Sequence, residues 1–148
     1  VKSTIVIFLS EILHHSIHEE EKNENLFSFL ETALLWLDTH EEAANFHLIL
    51  MMEMTKFLGF YPDVSEIDFD FFDVKEGFFT PFQSVNTLSA HETQLFKRLI
   101  ELKFDSNQKT FAGIERQFLL KILLDFYTLH LEGFKKPKSL EVLKEVFS

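Results

Sequence analysis

A chain of 148 residues with 46% hydrophobic and 26% charged side chains has the balance of one soluble globular domain with a core of its own. The absence of cysteine excludes disulfides and thiolate metal sites, and a net charge of −10 argues against a general nucleic-acid binder. Nineteen Phe stand against two Tyr and one Trp; a Phe ring has no polar handle, so most of these rings belong in a core or a partner-binding groove.

In chain order, Ile5, Phe8, Leu9, Ile12, Leu13 and Ile17 recur at helical spacing and predict a first helix running to about His18. No charged-then-apolar leader precedes it. A chain that starts at Val1 inside a helical pattern is expected to be a fragment with a domain before it. Past the solvated loop EEEKNEN, Asn25 is placed to cap a second helix bearing Leu26, Leu30, Ala33, Leu34 and Leu37, with Trp36 beside them. A third helix is expected over about Ala43–Leu58, ended by Gly59 and the turn Tyr61-Pro62-Asp63. Met51, Met52 and Met54 sit in its middle, where core packing is favoured over an adaptable peptide groove.

From Asp68 to Pro81 the period changes, and FDFFDVKEGFFTP reads as a short hairpin with Gly77 in the turn. Ser89 and Glu92 form a capping box that opens a fourth helix, about Ala90–Leu102, with Leu95, Leu99 and Leu102 inward and Lys97 and Arg98 outward. After the polar loop KFDSNQKT, the run from Phe118 to Leu131 is apolar on nearly every face, which predicts the central helix of the domain. Charges interrupt it too soon for a membrane span. Gly133 stops it, Lys135, Lys136 and Lys138 follow, and Ser139 is placed to cap a last short helix, Leu140–Phe147. The expectation is an all-α domain of five to six helices, with a small β-hairpin between the third and fourth.

Charge is unevenly spread. Residues 1–96 hold four Lys/Arg against 17 Asp/Glu, a net −13, while residues 97–148 hold ten against seven, a net +3. An anionic partner is therefore expected at the C-terminal end. Lys135, Lys136 and Lys138 beside a helix N-terminus capped by Ser139 form a candidate anion or nucleic-acid site; the alternative is a solvated lysine turn. His14 and His18, one turn apart, have zinc-ligand spacing but no third ligand marked by a motif. Asp68, Asp70 and Asp73 miss the calcium-loop pattern and read as polar positions alternating along a strand. No phosphate-binding loop, dinucleotide fingerprint or nucleophile elbow is present, so catalysis is not expected.

FYTLHLEGFKKPKSLEVLKEVF resembles the C-terminal end of the bacterial RecO family, and LFSFLETALLWLD and ANFHLILMMEMTKFLGFYPD resemble that family's second and third helices. The resemblance covers essentially the whole chain. It implies a helical C-terminal domain, normally preceded by a DNA-binding OB-fold domain, in a cytoplasmic, non-catalytic recombination mediator. Such proteins bind single- and double-stranded DNA, anneal strands, and with RecR help RecA load onto DNA coated by the single-strand-binding protein SSB. Many members hold a four-cysteine zinc module where this chain has its cysteine-free hairpin, so neither zinc nor any other cofactor is carried over, and packing of the hairpin's Phe residues is expected to replace it. The resemblance also implies a slot for the acidic, Pro-Phe-ending SSB tail. Its candidate residues are Phe96, Lys97, Arg98, Arg116, Phe118, Leu119 and Lys121, with Arg116 and Lys121 framing one helical strip. The alternative reading is an unrelated helical bundle that encloses an apolar ligand or peptide.

Overall fold

The structure, a computed structural model, describes residues 2–16, 24–39, 44–104, 111–136 and 138. Among them are five helices, α1 (Lys2–Ser16), α2 (Glu24–Thr39), α3 (Phe46–Leu58), α4 (Ala90–Glu101) and α5 (Gly113–His130). A two-stranded antiparallel hairpin, β1 (Phe71–Asp73) and β2 (Phe78–Thr80), lies between α3 and α4, as expected. His18, Ser139 and the helix expected over Leu140–Phe147 lie outside the described residues.

The centre is α3. Every residue from Phe46 to Met52 is buried, as are Met54 and Thr55, and α1, α2, α4 and α5 all pack against it. This corrects the expectation that α5 is central: α5 packs on α3 and α4, and its Ile114, Phe118 and Leu129 stay exposed. Charge position explains the difference. Lys121 and Asp125, one turn apart, give α5 a solvent side at mid-length, whereas Glu53 and Lys56 fall in the last turns of α3 and pair with each other at 2.9 Å. The three Met side chains of α3 are core, not a groove. Tyr127 of α5 locks the two helices together by donating its hydroxyl to the Met51 carbonyl at 2.6 Å. Burial pushes the Tyr127 pKa up, so the group remains a neutral donor.

Helix ends follow local chemistry. Gly59 takes φ +93° and returns its N–H to the Thr55 carbonyl at 3.0 Å, a conformation that suits a residue without Cβ. At α4, Ser89 Oγ accepts from the Glu92 N–H at 3.1 Å and Glu92 Oε1 accepts from the Ser89 N–H at 3.0 Å, as expected. Two boundaries differ from expectation: Asn25 sits inside the first turn of α2 instead of capping it, and α3 begins at Phe46 instead of near Ala43.

In the hairpin, Phe71 pairs with Thr80, Phe72 with Phe79 and Asp73 with Phe78. Side chains alternate across a strand, so each Phe-Phe doublet sends one ring in and one out. Phe72 and Phe79 go inward, 4.9 Å apart between centroids, and Phe72 stacks on Phe96 at 4.5 Å and meets the edge of Phe126 at 5.8 Å. Of the six Phe residues available there, these two are buried; Phe71 is half-buried, and Phe69, Phe78 and Phe82 are exposed. Asp68 and Asp70 lie in turns and bends before β1, so the expected alternation holds only for Asp73. Flanking backbone extends the ladder on both sides, Asp63 N–H to the Gly77 carbonyl at 2.8 Å and Leu88 N–H to the Phe72 carbonyl at 2.9 Å. The remaining inner donor, Phe72 N–H, is taken by Thr93 Oγ1 at 3.1 Å.

Phe72→Ala is expected to cost about 3–5 kcal/mol in denaturant unfolding, and Phe82→Ala less than about 0.5 kcal/mol. A chelator is expected to leave both curves where they are. An unchanged midpoint in Phe72→Ala, or a fall on chelation, would show that something other than ring packing closes the hairpin.

His47 generates a second expectation. Burial, and then the Arg116 guanidinium, lower its pKa from 6.5 to about 3. The unfolded state takes up this proton as pH falls through about 6.5, while the native state resists until about 3. Stability is therefore full above the unfolded value and falls with acidification by about 1.4 kcal/mol per pH unit between the two. Chemical denaturation at about pH 6 and about pH 4.5 should show a loss that His47→Gln reduces; an equal loss in both proteins would refute a neutral His47.

Candidate functional site

The seven residues expected to line one slot are not brought together. Phe96 and Leu119 are both 0% exposed and belong to the core, so they offer no surface to a peptide. Lys97 lies with its Nζ 5.6 Å from the centroid of Phe79, against the hairpin. Arg98 lies over Phe111 at 4.8 Å and reaches Glu115 at 4.0 Å. Arg116 donates to the Phe111 carbonyl at 2.6 Å, and its charge helps lower the His47 pKa. Arg116 and Lys121 therefore do not frame one strip: five residues is a rotation of roughly 140° about a helix with 3.6 residues per turn. Phe118, 43% exposed, stands apart from the buried Phe96 and Leu119.

Lys121 instead lines a cleft of about 440 Å³ between the hairpin, the loop before α4, and α5. Val74, Leu88, Ile122 and Leu129 give this cleft an apolar lining, and Lys75, Lys121 and Lys136 stand on it as exposed cations beside the carboxylates of Glu92 and Asp125. Each element delivers its part by local rules. Gly77, at φ +81°, closes the turn that carries Val74 and Lys75. The spacing of Lys121, Ile122, Asp125 and Leu129 keeps all four on one side of α5. Gly133, at φ +79°, turns the chain back so that Lys136 returns to Asp125, at 3.2 Å. His130 Nε2 lies 2.8 Å from the Val74 carbonyl and fixes the hairpin against the end of α5.

The cleft thus joins one residue from each of the two sites expected from sequence, Lys121 from the peptide slot and Lys136 from the anion site. Lys135 is exposed and outside the cleft lining, the Lys138 N–H donates to Glu11 of α1 at 2.6 Å, and Ser139 is outside the described residues. Sequence reasoning missed Lys75, Val74, Leu88 and Leu129; an apolar Val next to a Lys in a hairpin turn was the available signal.

A second cleft, of about 480 Å³, is lined by Phe29, Trp36, Ile49, Leu102 and Phe104, with Glu53 and Lys103. Its rings are largely used on one another: Phe29 stacks on Phe104 at 6.1 Å, and Trp36 meets Phe104 at 5.7 Å. His14 is exposed on α1, and among the described residues no three His, Asp or Glu side chains are placed to hold a metal ion. No helix among them is long and apolar enough to cross a membrane.

Comparison with known proteins agrees with the fold. The family described as Recombination protein O C terminal matches residues 1–141. The DNA repair protein RecO of Flavobacterium psychrophilum is 67% identical over 100% of this chain and 63% of its own length. That of Flavobacterium johnsoniae is 66% identical over 99% of this chain and 62% of its own, and that of Bacteroides fragilis 38% identical over 99% and 63%. The chain therefore spans less than two thirds of these relatives. No solved structure matches it. The family match removes the alternative of an unrelated bundle, and the chain belongs to the RecO family of DNA repair proteins.

Proposed function

We propose that this chain is a non-catalytic, cytoplasmic module of recombinational DNA repair whose lysine-rimmed cleft receives the acidic C-terminal tail of SSB. Family membership supports the repair role. The observation that carries the site is the convergence of Lys75, Lys121 and Lys136 on an apolar cleft of about 440 Å³. A tail ending in Pro-Phe needs a slot for one ring and cations for its carboxylates, because a buried ring anchors while rim charges steer and orient. Asp125 holds Lys136 at 3.2 Å, and an arriving carboxylate competes for that lysine. RecR, and single- and double-stranded DNA, are partners of the whole protein in this reading, with DNA met mainly through an N-terminal OB-fold domain.

Fluorescence anisotropy with a labelled SSB tail peptide tests the cleft. Binding should vanish when the terminal Phe is removed and weaken about tenfold, or about 1.4 kcal/mol, in Lys121→Glu and in Lys136→Glu. Asp125→Asn should tighten it, and Arg98→Glu should leave it nearly unchanged. Loss in Arg98→Glu with none in Lys121→Glu would move the site to the N-terminal end of α5.

The same charge distribution predicts weak DNA binding by this chain alone. Residues 1–96 carry a net −13 and oppose any phosphate contact made by the lysines. Few phosphates are neutralised, so the affinity is low and falls further with salt. Tight binding to single strands at physiological salt, unaltered by charge reversal of Lys121 and Lys136, would refute this.

A further inference from the structure

The outward half of the hairpin is not explained by the core or by the cleft. Phe72 and Phe79 account for the inward ring of each Phe-Phe doublet, but Phe71 and Phe78 face the other way. Phe78 is 42% exposed and Phe82 75% exposed, and Phe69, in the bend before β1, is 37% exposed. The hairpin and its flanks thus leave three rings, Phe69, Phe78 and Phe82, exposed, with Phe71 half-buried among them, where Thr or Lys would serve solubility better. Large exposed apolar groups gathered on one face mark an interaction site.

Charge selects the occupant. Residues 63–82 contain Asp63, Glu66, Asp68, Asp70, Asp73 and Glu76 against Lys75 alone, a net −5. Asp73 is the cross-strand neighbour of Phe78 itself. Exposed rings also stack nucleobases, but such platforms lie in positively charged grooves that track the phosphates, and this face repels phosphate. A second copy of the chain would bring the same negative face. What fits is a cation set between apolar groups, since an ammonium or guanidinium gains from both a ring face and a carboxylate. The neighbourhood already uses this chemistry: Lys56 Nζ lies 4.8 Å from the centroid of Tyr61 and Lys97 Nζ 5.6 Å from that of Phe79. The face is also held from behind. Backbone bonds on both edges and the Thr93 hydroxyl fix the hairpin, so docking requires little ordering.

We propose that the outer face of the hairpin, Phe71, Phe78 and Phe82 among Asp68, Asp70 and Glu76, docks a basic segment of a partner protein in which Arg or Lys alternates with apolar side chains. This surface is separate from the lysine cleft and takes a partner of opposite charge.

The test uses the 148-residue chain and a short labelled peptide alternating arginine and leucine. The peptide is expected to bind, and unlabelled oligothymidylate and a glutamate-leucine counterpart are expected not to displace it. Phe78→Ser with Phe82→Ser should weaken binding about tenfold or more, and Phe82→Ser alone should weaken it without moving the melting temperature, since that ring is 75% exposed. Asp70→Lys should weaken it well beyond Glu31→Lys on α2, which changes the net charge equally. Lys121→Glu should not weaken it, which separates this face from the cleft. Four results overturn the proposal: no binding of the arginine peptide, equal effects of Asp70→Lys and Glu31→Lys, full affinity in the Phe variant, or displacement by oligothymidylate. A dimer in sedimentation that Phe82→Ser dissolves would assign the face to a second copy and overturn it as well.

Discussion

The fold depends on a helix with almost no solvent side. Once α3 buries Phe46 through Met52 without a break, it needs cover in every direction, and α1, α2, α4 and α5 supply it. A covering helix needs only one apolar stripe. Phe8, Leu9 and Ile12 provide it on α1, Leu26, Leu30, Ala33 and Leu37 on α2, and Leu95, Phe96, Leu99 and Ile100 on α4. The outer sides of these helices are left without a structural duty. Lys121 and Asp125 occupy such a side on α5, and so the cleft can carry charge in the middle of a helix that is otherwise core.

The hairpin closes the part of the core that the helices leave open. Phe72 lies between Phe79, Phe96 and Phe126, so rings from β2, α4 and α5 meet on it. Burying a ring contributes roughly 2–3 kcal/mol by area, while the backbone polar groups that come with it must still be paired. They are: the Phe72 carbonyl accepts from Leu88, and its N–H goes to Thr93. A hydrophobic closure of this kind has no dependence on thiol redox state or metal supply. It does depend on shape, because a smaller side chain at position 72 leaves a void that three rigid rings cannot collapse to fill.

What was legible in the sequence was local. Gly59, Gly77 and Gly133 mark conformations that a Cβ disfavours, and all three take positive φ. The Ser89 and Glu92 capping box needs only residues three apart. Burial order was not legible, since α3 and α5 are both apolar and only tertiary packing decides which has four neighbours. Side-chain direction was partly legible: Phe96 and Ile100 share the broad inward face of Leu95 and Leu99, and Phe96 should have been read as core. The rotation between Arg116 and Lys121 was available from helix geometry alone. The meeting of Lys75, Lys121 and Lys136 was not, because it joins three distant segments through turns whose direction no short-range pattern encodes.

The hairpin turn divides the surface electrically. Lys75 belongs to the cleft, while its neighbour Glu76 belongs to the acidic segment, and consecutive Cα atoms are only about 3.8 Å apart. Charges this close to a boundary lie within a Debye length of about 8 Å at physiological ionic strength, so each surface feels the occupancy of the other. Carboxylates placed on Lys75 and Lys121 cancel positive potential there and leave the acidic face more negative. With both proposed ligands, a basic partner on that face would then be held more tightly, and by linkage would tighten the acidic ligand in return. The coupling needs no movement of the backbone, only two oppositely charged ligands on one rigid hairpin. It weakens as salt rises, which distinguishes it from a coupling carried by repacking of Phe72 and its neighbours.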